Sequence, residues 1–245
     1  MNELTNNPKT ILYAILGGVA PAILWLWFFM YEEDRDEPEP IGLIVLSFIL
    51  GGIIVLIAMW MEKFSLGFIK DSNTQILVWA GMEEILKMIG VSFIIFGNNI
   101  VKKPIDYPMY FIATALGFAA FENVLYLIKP LGANSSSVVG MLTGNLRFLG
   151  STLLHAIASS MIGSALGLSF YLKQNRTIYL FIGITCAIVL HSVFNFFIMK
   201  GSGENFLSVF GFLWVVAIIN ILIFEKLKRM GTKTIRAIPI VQPVS

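Results

Sequence analysis

The chain has 245 residues, of which 57% are hydrophobic and only 13% are charged, and its mean hydropathy is +0.81. A soluble domain would carry about 25% charged residues, so the composition excludes an ordinary soluble protein. The formal net charge of +2 is too small to indicate nucleic acid as a partner, and the single cysteine, Cys186, excludes an intramolecular disulfide. Long apolar runs instead predict an all-α, polytopic membrane protein whose surroundings are the lipid bilayer.

Seven apolar runs are predicted to cross the membrane, and they form one integral membrane domain over residues 1–245 with a basic tail at 225–245. Ten Lys and Arg residues flank the side that holds the first, third and fifth connections and the C-terminus, against six on the other side. Because the cytoplasmic loops of membrane proteins are enriched in Lys and Arg, this count predicts a cytoplasmic C-terminus. The predicted spans are 11–30, 41–61, 75–97, 109–128, 147–171, 177–199 and 206–224.

The third predicted span contains three charged residues, Glu83, Glu84 and Lys87. A hydrophobic segment keeps such charges only where they face the protein interior or a water-filled cavity. On a helix, Glu83 and Lys87 lie four positions apart and can pair, whereas Glu84 points about 100° around the axis. One turn of this helix is therefore predicted to present two carboxylates to different neighbours.

The next three spans also carry polar groups at a common depth. Glu83, Glu122, His155 and His191 lie six to eight residues from the surface that holds the second, fourth and sixth connections. With a rise of 1.5 Å per residue, this depth is roughly 9–13 Å. The agreement predicts one site built from spans three to six.

Each of these groups also has a structural interpretation. Glu83 and Lys87 could form only an intrahelical ion pair. Hydrogen bonds between helices could explain Glu122, Asn123, Ser159 and Asn195. Chance would not place both histidines of the chain at the depth of the carboxylates. The common depth therefore favours a chemical site.

Glutamate in such a site can take a proton from water and later return it to a leaving amine. Histidine and an asparagine amide can donate hydrogen bonds to a developing oxyanion. No serine or cysteine nucleophile pattern is evident, which favours water activated by glutamate. A zinc site with Glu83, Glu84, His155 and His191 as ligands stays open, although the His-Glu-x-x-His spacing is absent.

The polar motifs, taken together and in this order, resemble the PrsW-type intramembrane proteases. The motifs are Glu-Glu-x-x-Lys at 83–87, Phe-Glu-Asn-x-x-Tyr at 121–126, His155, and His-x-x-x-Asn at 191–195, with an acidic stretch at 34–40. That family is related to the CAAX prenyl protease and bacteriocin-processing group. The resemblance implies a glutamic endopeptidase of a prokaryotic plasma membrane that needs no cofactor. Its substrate would be a membrane-anchored protein, such as an anti-sigma factor.

The resemblance and the chemistry together assign roles to the predicted site. Glu83 is the expected general base, oriented by Lys87, and Glu84 is its partner, although the sequence leaves these two glutamates interchangeable. The other residues are expected to hold water, stabilise the oxyanion or shape the cavity: His155, His191, Asn195, Glu122, Tyr126 and Asn123.

Two other functions use the same residues. One is a zinc-dependent membrane metalloprotease. The other is a proton-coupled transporter in which the glutamates and histidines relay protons. The chain lacks the pair of broken helices in matching halves that is typical of many transporters, which disfavours the second alternative.

The Lys and Arg distribution yields a topology prediction. We expect a reporter fused after Ser245 to be active only if it is a type that works in the cytoplasm. The measurement compares a cytoplasmic and an external-side reporter fused at the same position. Activity of the external-side reporter alone would reverse the orientation.

Overall fold

The computed structural model describes residues 8–33, 38–98, 100–128, 138–200 and 206–237. These residues form seven α-helices and a short 3₁₀ turn at Lys173–Asn175, with no β-strand among them. The all-α fold predicted from the sequence is confirmed. The helices are α1 (Pro8–Glu32), α2 (Ile41–Ser65), α3 (Ser72–Asn98), α4 (Asp106–Ile128), α5 (Val138–Leu168), α6 (Arg176–Lys200) and α7 (Phe206–Ala237).

Six of these helices are long and apolar enough to cross a membrane, and α3 is the exception. It has 27 residues, but Glu83, Glu84 and Lys87 lie at its centre. Both Glu84 and Lys87 are fully buried inside the protein. Because its charges face other helices and not lipid, α3 can occupy the membrane interior with the other six.

Several helices extend beyond the apolar runs that predict them. The fifth begins at Val138, and the seventh continues to Ala237, so the first part of the predicted basic tail is helical. Residues 34–37 of the acidic stretch and residues 238–245 of the tail lie outside the described part of the chain.

Helix α4 is the centre of the bundle. It packs against α1, α2, α3 and α5, and every residue from 107 to 120 is buried. A helix that is apolar on all sides is expected in such a central position. Residues near the end of α4, including Glu122, therefore lie where several helices meet.

Two glycines allow α2 and α4 to approach at backbone distance. A Cβ atom at Gly51 would lie 1.9 Å from the Thr114 carbonyl oxygen, and one at Gly117 would lie 1.8 Å from that of Phe48. Real Cβ atoms do not occur at these distances. Small residues at helix interfaces give this kind of close contact in membrane bundles.

The rotation of α3 is determined near its first turns. Asp71 caps the helix, since its Oδ2 accepts hydrogen bonds from the Thr74 amide at 2.8 Å and the Thr74 hydroxyl at 2.7 Å. The Trp79 indole N–H donates to the Ser65 hydroxyl at the end of α2 at 2.8 Å. These bonds hold α3 against α2 with its charged turn facing α5 and α6.

A buried acidic cluster lies at the opposite membrane face, before α2. The amide of Glu39 donates to Glu33 Oε1 at 2.8 Å, and the Tyr110 hydroxyl donates to Glu39 Oε2. Burial raises the pKa of the Glu39 carboxyl to about 7. The hydrogen bond from Tyr110 lowers this pKa, whereas the negative charges of Asp106 and Glu33 raise it further. The protonated carboxyl is thus favoured in the folded protein.

This pKa predicts a pH-dependent stability. Because the folded pKa of Glu39 lies above its ordinary value of 4.5, its contribution to stability falls as pH rises from 4.5 to about 7. Between pH 5 and pH 8 in detergent, we expect the wild type to lose about 5 °C in Tm relative to Glu39→Gln, which stays neutral. Parallel pH profiles of the two proteins would contradict the prediction.

Candidate active site

Five helices enclose a cavity of about 250 Å³ near the membrane face that holds the second and sixth connections. Five residues predicted for the site line it: Glu83, Glu122, Tyr126, His155 and Asn195. The described residues that line it are Glu62, Ile76, Trp79, Glu83, Glu122, Tyr126, Ser151, His155, Phe194, Asn195 and Ile198.

Behind the cavity lies the ammonium group of Lys87, which is fully buried. Its Nζ lies 2.8 Å from Glu84 Oε1 and 2.8 Å from His155 Nδ1, and it stands over the Phe118 ring at 4.1 Å from the centroid. The distance to Glu83 Oε2 is 3.6 Å. The expected Glu83–Lys87 pair thus forms, but the closer partner of the lysine is Glu84.

The carboxylate of Glu84 is surrounded by hydrogen-bond donors. Its Oε1 accepts from Lys87 Nζ and from His191 Nδ1, each at 2.8 Å, and its Oε2 accepts from the Ser159 hydroxyl at 2.6 Å. These donors come from α3, α5 and α6. A buried carboxylate with three donors is stabilised in its charged form and joins three helices.

Glu83 is arranged differently from its neighbour. Its Oε2 lies 3.8 Å from His155 Nδ1 and 3.8 Å from His191 Nε2, which is too long for a direct hydrogen bond. Among the described residues, no group donates a hydrogen bond to this buried oxygen. Glu83 also lines the cavity, so its carboxylate lies between the cavity and the buried ammonium group of Lys87.

The hydrogen bonds assign the proton positions of both histidines. Since the Lys87 ammonium can only donate, Nδ1 of a neutral His155 accepts, and Nε2–H donates to Glu122 Oε2 at 2.9 Å. His191 donates from Nδ1–H to Glu84, which leaves the lone pair of its Nε2 on the side of Glu83. The two rings meet edge to face, with centroids 4.8 Å apart.

The donor set of this cluster fits a divalent metal ion. One ligand atom from each of Glu83, His155 and His191 lies within 4.8 Å of the others, and Glu84 does not belong to this group. A carboxylate also accepts from the other ring nitrogen of each histidine, as is usual for zinc-binding histidines. In this structure, however, the Lys87 ammonium occupies the side of His155 that faces Glu83.

Some residues of the site differ from the sequence prediction. Asn123 bonds the Thr152 hydroxyl at 3.1 Å and so joins α4 to α5, away from the cavity. The sequence prediction omitted Glu62, which lines the cavity from α2. Ser159, one helical turn after His155, was expected only to join helices by a hydrogen bond and was not among the predicted site residues.

Comparison with known proteins identifies the family. The sequence profile described as "PrsW family intramembrane metalloprotease" matches residues 39–222. This range includes the charged residues around the cavity: Glu83, Glu84, Lys87, Glu122, His155 and His191. The chain belongs to the PrsW family. The resemblance of its polar motifs to this family is therefore confirmed, and the protein is a membrane peptidase.

Several PrsW proteins are similar over most of their length. Protease PrsW of Oceanobacillus iheyensis is 30% identical over 235 residues, which cover 92% of this chain and 99% of the relative. The Geobacillus kaustophilus protein is 28% identical over 76% of this chain and 79% of its own, and the Bacillus subtilis protein is 27% identical over 83% and 92%. No solved structure matches the chain. These PrsW relatives favour proteolysis over proton-coupled transport.

The hydrogen bond from Ser159 provides a test of the site in this PrsW protein. Ser159→Ala removes a donor from Glu84, and we expect cleavage of a membrane-anchored substrate to fall about tenfold, the usual cost of a hydrogen bond to a charged group. Ser160→Ala is the matched control, because Ser160 is equally buried but donates to the Ile157 carbonyl. Equal effects of the two substitutions would contradict a role for Ser159.

Proposed function

We propose that the protein is an intramembrane endopeptidase that hydrolyses a peptide bond of a membrane-anchored protein, with water activated by Glu83 and without a metal. One observation supports Glu83 in place of Glu84 as the base. Glu83 lines the cavity and has an oxygen, Oε2, to which no described group donates a hydrogen bond, whereas Glu84 does not line the cavity and has three donors. The difference favours Glu83 as the base and Glu84 as the group that positions Lys87 and His191.

The attacking water is held by two acceptors. One proton of the water donates to Glu83 Oε2 and the other to His191 Nε2, two atoms that lie 3.8 Å apart. The water oxygen then directs a lone pair into the cavity. Because Glu84 accepts from His191 Nδ1–H, it keeps the Nε2 lone pair available for this water.

Hydrolysis follows with the usual proton balance. The water oxygen attacks the carbonyl carbon of the scissile bond while Glu83 takes a proton, and the amide of Asn195 donates to the oxyanion. Glu83 then returns its proton to the amide nitrogen, the C–N bond breaks, and a carboxylic acid and an amine are released. Glu122 and Tyr126, which line the same cavity, bind the amine and the flanking backbone.

The proposed setting is a prokaryotic plasma membrane with the C-terminus in the cytoplasm. The catalytic cavity then faces the external side, and the enzyme cuts the external end of a substrate span. A membrane-anchored anti-sigma factor is the first substrate class to test.

Substitution of Glu83 tests the mechanism. We expect Glu83→Gln to lower cleavage of a single-spanning reporter about 100-fold or more, with similar losses for Glu84→Gln and His191→Ala. Glu225→Gln, an exposed glutamate on α7, is the control for an altered charge. The measurement is the rate of fragment formation after co-expression and then with purified proteins. Normal cleavage by Glu83→Gln would exclude Glu83 as the base.

Zinc-dependent proteolysis is the second candidate, and the convergence of Glu83, His155 and His191 favours it. These three residues would hold the ion. When bound, zinc makes its water a stronger acid and polarises the substrate carbonyl. Glu122 and Glu84 would orient the two histidines, as they do in this structure.

Elemental analysis separates the two candidates. A metal-free enzyme is expected to be purified without stoichiometric zinc and to keep its activity in a chelator. One zinc ion per chain in the wild type, lost in both His155→Ala and His191→Ala, would establish the second candidate in its place.

A further inference from the structure

A groove of about 350 Å³ lies on the outside of the bundle between the first turns of α3 and the last turns of α6. Leu77 forms one wall, and Val193 and Phe197 form the other. The side chains of Leu77 and Phe197 are about half exposed. Because these turns belong to membrane-embedded helices, the groove opens toward lipid.

The groove adjoins the catalytic cavity. Ile76 is buried and lines both spaces, so it lies where the groove and the cavity meet. On α6 the chain alternates between the two: Asn195 faces the cavity, and its neighbour Phe196 faces the groove. The lipid-facing groove and the cavity that contains Glu83 are therefore neighbours.

The other seam beside α3 is less suited to substrate passage. Between α2 and α3, the Trp79 indole is bonded to Ser65 at the level of the cavity. Deeper in the membrane, α3 approaches α6 at Gly81, where an added Cβ would lie 3.8 Å from Ile188. This contact between α3 and α6 therefore closes the groove at its deeper end.

The chemistry of the cavity favours a polypeptide over a lipid chain as the occupant. Glu62, Glu83 and Glu122 place three carboxyl groups in its lining. An acyl chain cannot hydrogen-bond to them, whereas the amides of an unwound peptide must find such acceptors once they leave their helix. An apolar helix in the groove can pack its side chains against Leu77 and Phe197 and extend an unwound end past Ile76.

We propose that the groove between α3 and α6 docks the membrane-spanning helix of the protein substrate beside the catalytic cavity. This inference rests on the proposed function, and it identifies the recognised element as a lipid-embedded helix. A short peptide that reaches the cavity from the aqueous side does not need the groove.

The first experiment fills the groove. Leu77→Trp is expected to slow cleavage of a single-spanning reporter about tenfold and to change cleavage of a soluble peptide with the same cut sequence less than about twofold. Leu24→Trp is the matched control, because Leu24 is an exposed leucine on α1, which packs against α4 and α5 and lies away from the groove.

The outcomes distinguish this proposal from the proposed function. If wild type cleaves both substrates in a Glu83-dependent manner but Leu77→Trp behaves like Leu24→Trp, the docking proposal fails and the proposed function stands. An equal loss on both substrates also overturns docking, since it indicates damage to the cavity. If wild type shows no Glu83-dependent cleavage of either substrate, both proposals fail.

A second experiment does not depend on turnover. A photoreactive phenylalanine derivative at position 77 or 197 of the Glu83→Gln protein is expected to crosslink the spanning segment of the reporter, and the same group at position 24 is not. Crosslinks of equal yield at all three positions, or at position 24 alone, would overturn the docking site.

Discussion

The structure depends on the burial of one ammonium group. Lys87 lies in the membrane interior with no exposure, and removal of one partner from such a buried pair costs about 3–5 kcal/mol. Its direct partners, Glu84 on its own helix and His155 on α5, must therefore stay in place. Because Glu84 also accepts from α5 and α6, neutralisation of the lysine holds three helices together and sets the positions of both histidines.

Adjacent positions on one helix thereby acquire different surroundings. The 100° rotation between neighbours directs Glu84 toward the interior and leaves Glu83 at the cavity wall. Three donors contact Glu84, whereas no described group donates a hydrogen bond to Glu83 Oε2. The two glutamates that the sequence could not rank are distinguished by what packs behind them.

The hydropathy of the spans and the depth of their polar residues predicted much of this arrangement from the sequence, because a bilayer requires helices to be apolar and polar groups to converge. The convergence of Glu83, His155 and His191 follows from that constraint. The closer pairing of Lys87 with Glu84 does not follow from it. The carboxylates three and four positions before the lysine are both within its reach, and side-chain packing decides between them. Glu62 was omitted because it lies one residue beyond the predicted second span, and contacts such as Glu39–Tyr110 join residues too distant in sequence for any local pattern to reveal.

The polarity of the cavity follows from the reaction that it is proposed to carry out. A peptide bond in a helix is protected because both its N–H and its C=O are already bonded, so a protease in the membrane must offer replacements for both. Carboxylates can replace only the acceptors. Asn195, Tyr126 and Ser151 add amide and hydroxyl donors to the same lining, so an unwound turn can find partners for its carbonyls as well. A transport site for protons would need the acids and histidines but not these donors, and an apolar lipid site would need neither. The combination of both kinds of group in one small cavity beside a lipid-facing groove is what an unwound segment of a substrate helix requires.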